Sequence, residues 1–543
     1  MSTGRALPRA RHTRLSPVLA LQVNRSLTLA TRHVLAAQRD DGSWLATPSP
    51  RVTETALGTL ALSRSPHPGA GRAVERGLAW LTGAVPQDHH PVAYAVESAL
   101  RSLALGTGGP VDVGHPAFAD EAPAARARLV QAVALHLGRT ARGGTAPEAL
   151  REELAGAVAA RGRLKRWTRV ELLSARALLE LHFGDRDTAR RAALMVAEEQ
   201  SPAGDFFGSP VTTALAALAL QAAAPGSAAA HRCAEHLITG QLPDGTWRFS
   251  TSDVWDTTLT VRSFRGAPAF DRHGLPAAVA FLVAAQNPDG GWPYRLGVES
   301  DNDTTAAALI ALAGTDGTPG RTVRAGLRHL ARQQTPDGLW RTWQSAGDPP
   351  VDDVVAHVVT ALDRHRGHHH VPLGAARAWL ARRFRERGHW QAGWYRGLPY
   401  ATAEVLPALG TAAHSGSPTA GPHGHPAARA LAEIRHRDGG WPVEAGGPST
   451  PAATGLALAA LERGGLVGGE HDETYWAPGL GHLVDTQRED GSWPGVPLMY
   501  GPRPLLTHFP THTHAFAVDG LLAGQRRLRA AGGAAAAAAH KAG

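Results

Sequence analysis

Gln286-Asn287-Pro288-Asp289-Gly290-Gly291-Trp292 is one copy of a pattern, Gln-x-x-Asp-Gly-x-Trp, whose recurrence decides the fold. Further intact copies stand at Gln38–Trp44, Gln241–Trp247, Gln334–Trp340 and Gln487–Trp493. The copy Arg435–Trp441 has lost only its Gln, while Gly204/Phe206 and Gly388/Trp390 keep the glycine and an aromatic. From Phe206 to Trp493 the step between aromatics rises smoothly from 41 to 52 residues, the mark of one supersecondary unit repeated. Apolar positions at helical spacing flank each copy, such as Leu275, Val279, Leu282 and Val283 before this one and Thr305 to Leu312 after it. The Asp-Gly pair makes a turn in which glycine supplies the positive φ, so each unit is a pair of helices. Gln can donate and accept at backbone ends while Trp covers a neighbouring turn, and we read the motif as a structural clamp between successive hairpins. Helix pairs of this period stack into an open solenoid or close into a toroid with a central pit. The expected class is all-α, built from α/α barrels.

Between Trp44 and Phe206 the register is obscure, with breaks at Ser65–Gly71, Gly106–Pro116 and Gly143–Pro147, and this stretch reads as a second, more divergent helical domain. His414–Pro426 reads as a surface loop and residues 531–543 as an Ala-rich tail. A chain of 543 residues exceeds one ordinary core. Its 43% hydrophobic and 19% charged residues exclude a disordered protein. The balance of 55 basic against 47 acidic residues gives +8. No basic stripe is interleaved with aromatics, so no nucleic-acid partner is expected, and the excess reads as an Arg-rich exterior or as attraction for an anionic substrate. Cys233 is the single cysteine, which excludes a disulfide framework and a thiolate zinc site and fits a cytoplasmic protein. Arg5, Arg9, Arg11 and Arg14 surround no convincing signal peptide, because the apolar run Pro17–Val23 is short and contains Gln22. No run approaches a membrane span, so no membrane insertion is expected.

Reactive side chains gather in Glu299-Ser300-Asp301-Asn302-Asp303-Thr304-Thr305-Ala306, just ahead of an apolar helical run. Two readings apply. Ser-Asp-x-Asp-Thr is an ordinary helix cap, with acids favoured by the helix dipole. Equally, two carboxylates in a poorly solvated site cannot both ionise cheaply, so one is retained as a neutral, oriented proton donor.

These motifs together resemble the class II terpene cyclases, a superfamily that includes squalene-hopene cyclases and bacterial cyclases of prenyl diphosphates. The likeness rests on the repeats, Ser252-Asp253-Val254-Trp255-Asp256-Thr257, Asp301–Ala306, Pro350-Val351-Asp352-Asp353-Val354-Val355-Ala356-His357 and Trp394–Tyr400, all in the family's order. The resemblance implies two α-barrel domains with the active site between them. One, called β, comprises residues 1–21 and 251–530 and carries the acid motif. The other, called γ, is inserted as residues 22–250. Asp303 falls on the general acid that protonates a terminal alkene, with Asp301, Thr304 and Thr305 beside it. His357 falls on the histidine that hydrogen-bonds the acid, Tyr400 on a neighbouring tyrosine, and Trp255 and Trp394 on aromatics that line the cavity. Thr304 departs from the third acidic residue of most members. The Asp-x-Asp-Thr-Thr form resembles drimane-type sesquiterpene cyclases and implies farnesyl diphosphate cyclised to a bicyclic diphosphate that keeps its diphosphate, an isomerase-type reaction. Geranylgeranyl diphosphate and squalene are the alternative substrates.

Elementary chemistry agrees with that assignment. A tertiary carbocation is quenched by water, so its pit must be dry, apolar and lined with π faces. Trp255, Tyr294, Trp394 and Tyr400 are the aromatics expected there, although Tyr294 reads equally well as a packed helix-end residue. A prenyl diphosphate also requires cations. The run Arg161-Gly162-Arg163-Leu164-Lys165-Arg166-Trp167 is the densest basic cluster of residues 22–250, and Lys165 resembles a diphosphate-contacting lysine of the plant relatives. Lys165 and Arg166 are therefore the diphosphate candidates, against a solvated-face reading. Mg²⁺ is the expected cofactor, with Glu148 and Glu152 as candidate ligands and Glu153 nearby. No Asp-Asp-x-x-Asp motif for ionising a diphosphate is present, since Asp352-Asp353 is followed by Val354-Val355-Ala356. Two rivals share the architecture. A protein prenyltransferase β subunit needs a cysteine zinc ligand, and Cys233 lies in an ordinary helical context; a non-catalytic repeat scaffold has no reason to hold Asp301, Asp303 and His357 in this order.

Overall fold

The computed structural model describes residues 12–542 apart from 108–110, 113–120, 140, 160–163, 344–348, 411–423, 468–469 and 502. Arg5, Arg9 and Arg11, Arg161–Arg163 of the basic run and most of the loop expected at His414–Pro426 lie outside the described residues.

Helices sort into two kinds. Asn302–Leu312 is buried at every position, and Asp253–Phe264, Asp352–Arg364, Leu398–Val405 and Pro451–Arg463 are buried almost all round. Such helices suit only an interior, where each fully buried Leu, Val or Ile contributes about 1.5–3 kcal/mol. Others are amphipathic: Gly320–Gln333 buries Thr322, Gly326, Leu327, His329 and Leu330 and turns Arg321, Arg324, Arg328 and Arg332 outward. The basic excess of the sequence is in part this Arg-rich exterior.

The buried helices close on themselves. Asp253–Phe264 packs on Asn302–Leu312, that on Asp352–Arg364, then Leu398–Val405, Pro451–Arg463 and Pro510–Ala542, which returns to Asp253–Phe264. Leu275–Ala284, Gly320–Gln333, Gly374–Arg387, Pro426–Glu433, Ala477–Asp485 and Pro17–Ala36 lie outside this ring. A second ring runs through Val52–Ser63, Pro91–Leu105, Glu121–His136, Arg166–His182 and Pro210–Ala223 and back to Val52–Ser63. The structure is therefore all-α with α/α barrels, and the solenoid alternative is closed off. Each ring has its own apolar core: Leu19 to Trp44 join Val254 to Ala523 in one, and Val52 to Trp247 form the other. The boundary expected after residue 21 is displaced, because it falls inside the helix Pro17–Ala36, whose Leu19 and Val23 pack into the same core. The chain leaves the first core only after Trp44. The stretch 531–542 read as a tail continues the helix Pro510–Ala542.

The repeated motif ties successive helix pairs of a ring together through its backbone contacts. In each copy the Trp indole donates to the carbonyl ten residues earlier, as Trp292 Nε1 does to Leu282 at 2.6 Å and Trp340 Nε1 to Leu330 at 2.8 Å. The Gln amide spans two elements: Gln286 Nε2 donates to Gly290 O in its own turn at 2.9 Å and to Thr322 O of the next outer helix at 3.0 Å. Gly290 takes φ +87°, and a Cβ there would stand 2.7 Å from Ala325 O. Turn and next helix approach too closely for any side chain.

Candidate active site

A cavity of about 430 Å³ lies where the two cores meet. Leu57, Val96, Leu100, Val130 and Val133 line it from the five-helix ring; Trp255, Asp301, Asp303, Trp394 and Tyr395 line it from the six-helix ring.

Asp301 is the N-cap of Asn302–Leu312 and accepts from Thr304 N at 2.6 Å and Thr304 Oγ1 at 2.9 Å. The cap reading of this stretch is thus correct for Asp301, and it leaves Asp303, in the first turn, facing the cavity. Asp303 Oδ1 lies 2.6 Å from His357 Nδ1, and its Oδ2 has no hydrogen-bond partner among the described residues. His357 Nε2 meets Glu404 Oε2 at 2.7 Å, and Arg262 Nη2 donates to the same Glu404 oxygen at 2.5 Å. Burial opposes an imidazolium, but Asp303 and Glu404 on either side outweigh it and push His357 up to about 9. Burial likewise opposes an ionised Glu404, yet Arg262 and His357 hold it well below the usual carboxylate range. His357 is therefore a cation that donates from both nitrogens.

The carboxyls opposite behave differently. Burial first, and then the neighbouring Asp303, push Asp301 up to about 8, against the two Thr304 hydrogen bonds. Burial and Asp303 also push Asp353 up to about 6, with His357 opposing. Asp353 accepts from Gly393 N at 2.8 Å and from Trp394 N at 3.4 Å, so it positions the aromatic loop. Asp301 therefore keeps its proton at neutral pH, and of the two only Asp303 has an oxygen left for the cavity. A separate polar cavity of about 210 Å³ reaches His357 and Glu404 from among Arg262, Thr360, Arg364 and Asp519.

The expected aromatics divide. Trp255, Tyr294 and Trp394 line the cavity. Tyr400 does not: it stacks behind Tyr395 with ring centroids 4.1 Å apart, and Tyr395 takes the place at the wall. Trp343 and Trp167, unforeseen in the sequence, extend the aromatic wall, Trp343 packing edge-on against Trp394 at 5.1 Å and against Trp167 at 5.2 Å. Thr304 reaches the cavity, whereas Thr305 turns away, its Oγ1 donating to Asp301 O at 2.6 Å and accepting from Trp292 N at 2.9 Å.

Lys165 lines the cavity with its ammonium 4.0 Å from the centre of the Trp343 ring. Arg166 does not line it. It is exposed and paired with Glu199, Nη2 to Oε2 at 2.7 Å, because one residue further along the helix start points its side chain elsewhere. Glu148 and Glu152 project from the exposed face of Pro147–Ala159 and are absent from the cavity wall. Among the described residues no three His, Cys, Asp or Glu side chains converge as a metal site. These glutamates therefore stand apart from the cavity that Lys165 faces. No described helix is long and apolar enough to cross a membrane.

Sequence reasoning missed Glu404, Tyr395 and Trp343. Glu404 was marked only as an acid one helical turn past Tyr400 in an otherwise apolar run, and Tyr395 only by adjacency to Trp394.

Comparison with known proteins follows the same lines. Residues 202–347 and 342–516 match the squalene-hopene cyclase C-terminal domain family. The chain is 31% identical over 439 residues to the drimenyl diphosphate synthase of Streptantibioticus cattleyicolor, covering 77% of this chain and 80% of that one. It is 32% identical over 315 residues to the drimenyl diphosphate synthase of Streptomyces showdoensis, covering 56% and 49%. Its fold resembles ent-copalyl diphosphate synthase from Streptomyces platensis, with TM-score 0.56 at 18% identity over 93% of this chain and 99% of that one.

Proposed function

We propose, given that this chain belongs to the class II terpene cyclase family, that it cyclises farnesyl diphosphate to a bicyclic drimane-type diphosphate without releasing the diphosphate. The observation that carries the proposal is Asp303: a buried carboxyl backed by a cationic His357, with its free oxygen in an aromatic cavity. Protonation of the terminal alkene takes the proton from Asp303 Oδ2. The resulting carboxylate is stabilised where it forms, by the His357 imidazolium at 2.6 Å, so the donor is a stronger acid in the transition state than its burial alone allows. Ring closure moves the positive charge along the chain past Trp255, Trp394 and Tyr395, whose faces attract a cation without forming a bond to it. Supporting the farnesyl chain length are Thr304 after Asp303, the names of the two bacterial relatives, and a cavity of about 430 Å³, which suits a sesquiterpene better than squalene at twice its length. Lys165, at the Trp343 end of the cavity, is the residue proposed to meet the diphosphate.

Incubation with farnesyl and geranylgeranyl diphosphates, phosphatase treatment and mass analysis test the proposal. The expected product is a bicyclic alcohol from farnesyl diphosphate, with no inorganic diphosphate released during cyclisation. Asp303→Asn keeps the shape but offers no acidic proton, so turnover falls by about 10⁴-fold or more, the upper end of general-acid effects. A folded Asp303→Asn with a tenth of the parent rate refutes the assignment of the acid.

A further inference from the structure

A second hydrogen-bonded chain ends at the cavity wall, and the protonation step makes no use of it. Tyr395 Oη accepts from Trp255 Nε1 at 2.8 Å and lies 3.0 Å from His512 Nδ1. His512 Nε2 in turn meets Asp256 Oδ1 at 2.7 Å. Asp256 also accepts from Ser252 Oγ at 3.0 Å and Ala46 N at 3.0 Å. Asp256 and His512 are buried, and Tyr395 is covered except where it meets the cavity.

The directions of these bonds follow from their ends. Asp256 is surrounded by donors, so His512 carries a hydrogen on Nε2, and in the neutral ring Nδ1 is the acceptor. The Tyr395 hydroxyl must then donate to Nδ1, since its other contact, Trp255, can only donate. Tyr395, which lines the cavity, is thus a neutral phenol whose own proton has a prepared acceptor, with a carboxylate behind it to stabilise the imidazolium that forms.

We propose that Tyr395, His512 and Asp256 form the base that ends the reaction, a reading that rests on the cyclisation proposed above. The final tertiary cation loses a hydrogen from an adjacent carbon. That C–H electron pair becomes the π bond of the product, the proton passes to Tyr395 Oη, and the proton already on Oη passes to His512 Nδ1. A phenol suits the step. A hydrogen beside a carbocation is so acidic that a weak base removes it, whereas an ionised carboxylate in the same place is a nucleophile that would trap the cation as an ester.

Trp255 keeps the two ends of the reaction apart. Its ring centre is 6.2 Å from that of His357 and 6.4 Å from that of Tyr395. The acid chain and the base chain therefore border the same indole, close enough to serve a bicyclic skeleton and, among the described residues, without a hydrogen bond between them.

The experiment is product analysis of Tyr395→Phe and His512→Asn with farnesyl diphosphate, each checked for folding by circular dichroism. Both variants should consume substrate within about tenfold of the parent, because the acid is intact. Their products should shift, the parent alkene giving way to isomeric alkenes or to a water-quenched alcohol formed from a cation with no prepared base. Either variant yielding the parent alkene in the parent proportion overturns the proposal, and so does a uniform loss of rate with unchanged products, which is how a merely structural hub behaves. A parent enzyme that forms no bicyclic diphosphate refutes the underlying cyclisation instead, so the two failures are told apart.

Discussion

Replacing Glu404 by Gln changes one charge in a buried chain and leaves its shape intact. Glu404 faces His357 at 2.7 Å and Arg262 at 2.5 Å, and Asp303 faces the other side of the ring at 2.6 Å. The imidazolium is raised from 6.5 to about 9, a preference for the charged form of about 3 kcal/mol. Two contacts of nearly equal length sustain that elevation against burial, so removing one charge should return His357 to neutrality at or below pH 7. Asp303 then loses a charge-assisted donor, worth about 1.5–3 kcal/mol, or about 10- to 100-fold in rate.

The assay is steady-state turnover of farnesyl diphosphate from pH 6 to 9.5, with thermal melting at each pH. In the parent, activity should persist through neutrality and fall as pH rises through about 8 to 9, where Asp301 and then His357 lose protons. In Glu404→Gln the fall should begin at least one pH unit lower, and lowering the pH to 6 should recover part of the rate by recharging His357. Melting carries its own sign. A histidine raised in the folded state adds stability that is complete below pH 6.5 and lost as pH rises through about 9. That increment should shrink in the variant. A folded Glu404→Gln with a rate within twofold of the parent and an unmoved alkaline limb would show that His357 does not depend on Glu404.

Two further predictions follow from positions already described. Asp301, raised from 3.8 to about 8, favours the folded state fully below pH 3.8, and this contribution is lost as pH rises through about 8. Asp301→Asn keeps the cap and cannot ionise, so its melting temperature should decline less than the parent's between pH 5 and 9; parallel curves would remove the buried charge from the account. Glu148→Gln and Glu152→Gln, on the exposed face of Pro147–Ala159, should leave turnover and its response to added Mg²⁺ unchanged within twofold. A marked loss of either would return those residues to a metal role.

What could be read from the sequence was what the chain does locally. The Gln of each repeat bonds four residues ahead and the Trp ten residues back, so the motif leaves a trace within one short window. Asp301 caps the turn that contains Thr304, and its role is equally visible from spacing. Glu404 and Tyr395 escaped because ring closure, which no local window records, sets them against His357 and Trp255, 47 and 140 residues away. Lys165 and Arg166 show the same limit at the smallest scale. Adjacent in the chain, one meets the cavity and the other Glu199, and a basic run cannot say which. The five-helix ring was blurred for a related reason: between Trp44 and Phe206 no intact copy of the motif marks its turns.

The direction of the inner helices explains why so many carboxylates crowd a cavity meant for a cation. Asp253–Phe264, Asn302–Leu312 and Asp352–Arg364 all start at the cavity end of the ring, since Ser252, Trp255, Asp301, Asp303 and Thr304 line the cavity and Asp353 holds the Trp394 loop at its wall. Their N-termini point positive charge at the substrate, which would oppose a carbocation. Each of these helices carries acids in its first turn: Asp253 and Asp256, Asp303, and Asp352 and Asp353. Within that set, surroundings assign the work. Arg383 and the Gln391 backbone hold Asp352; Ser252, Ala46 and His512 hold Asp256; Thr304 holds Asp301. Asp303 alone combines a cationic donor on one oxygen with an open cavity on the other. Its distinction is one of neighbours rather than residue type, and an acid moved to any other of these first turns would not inherit its chemistry.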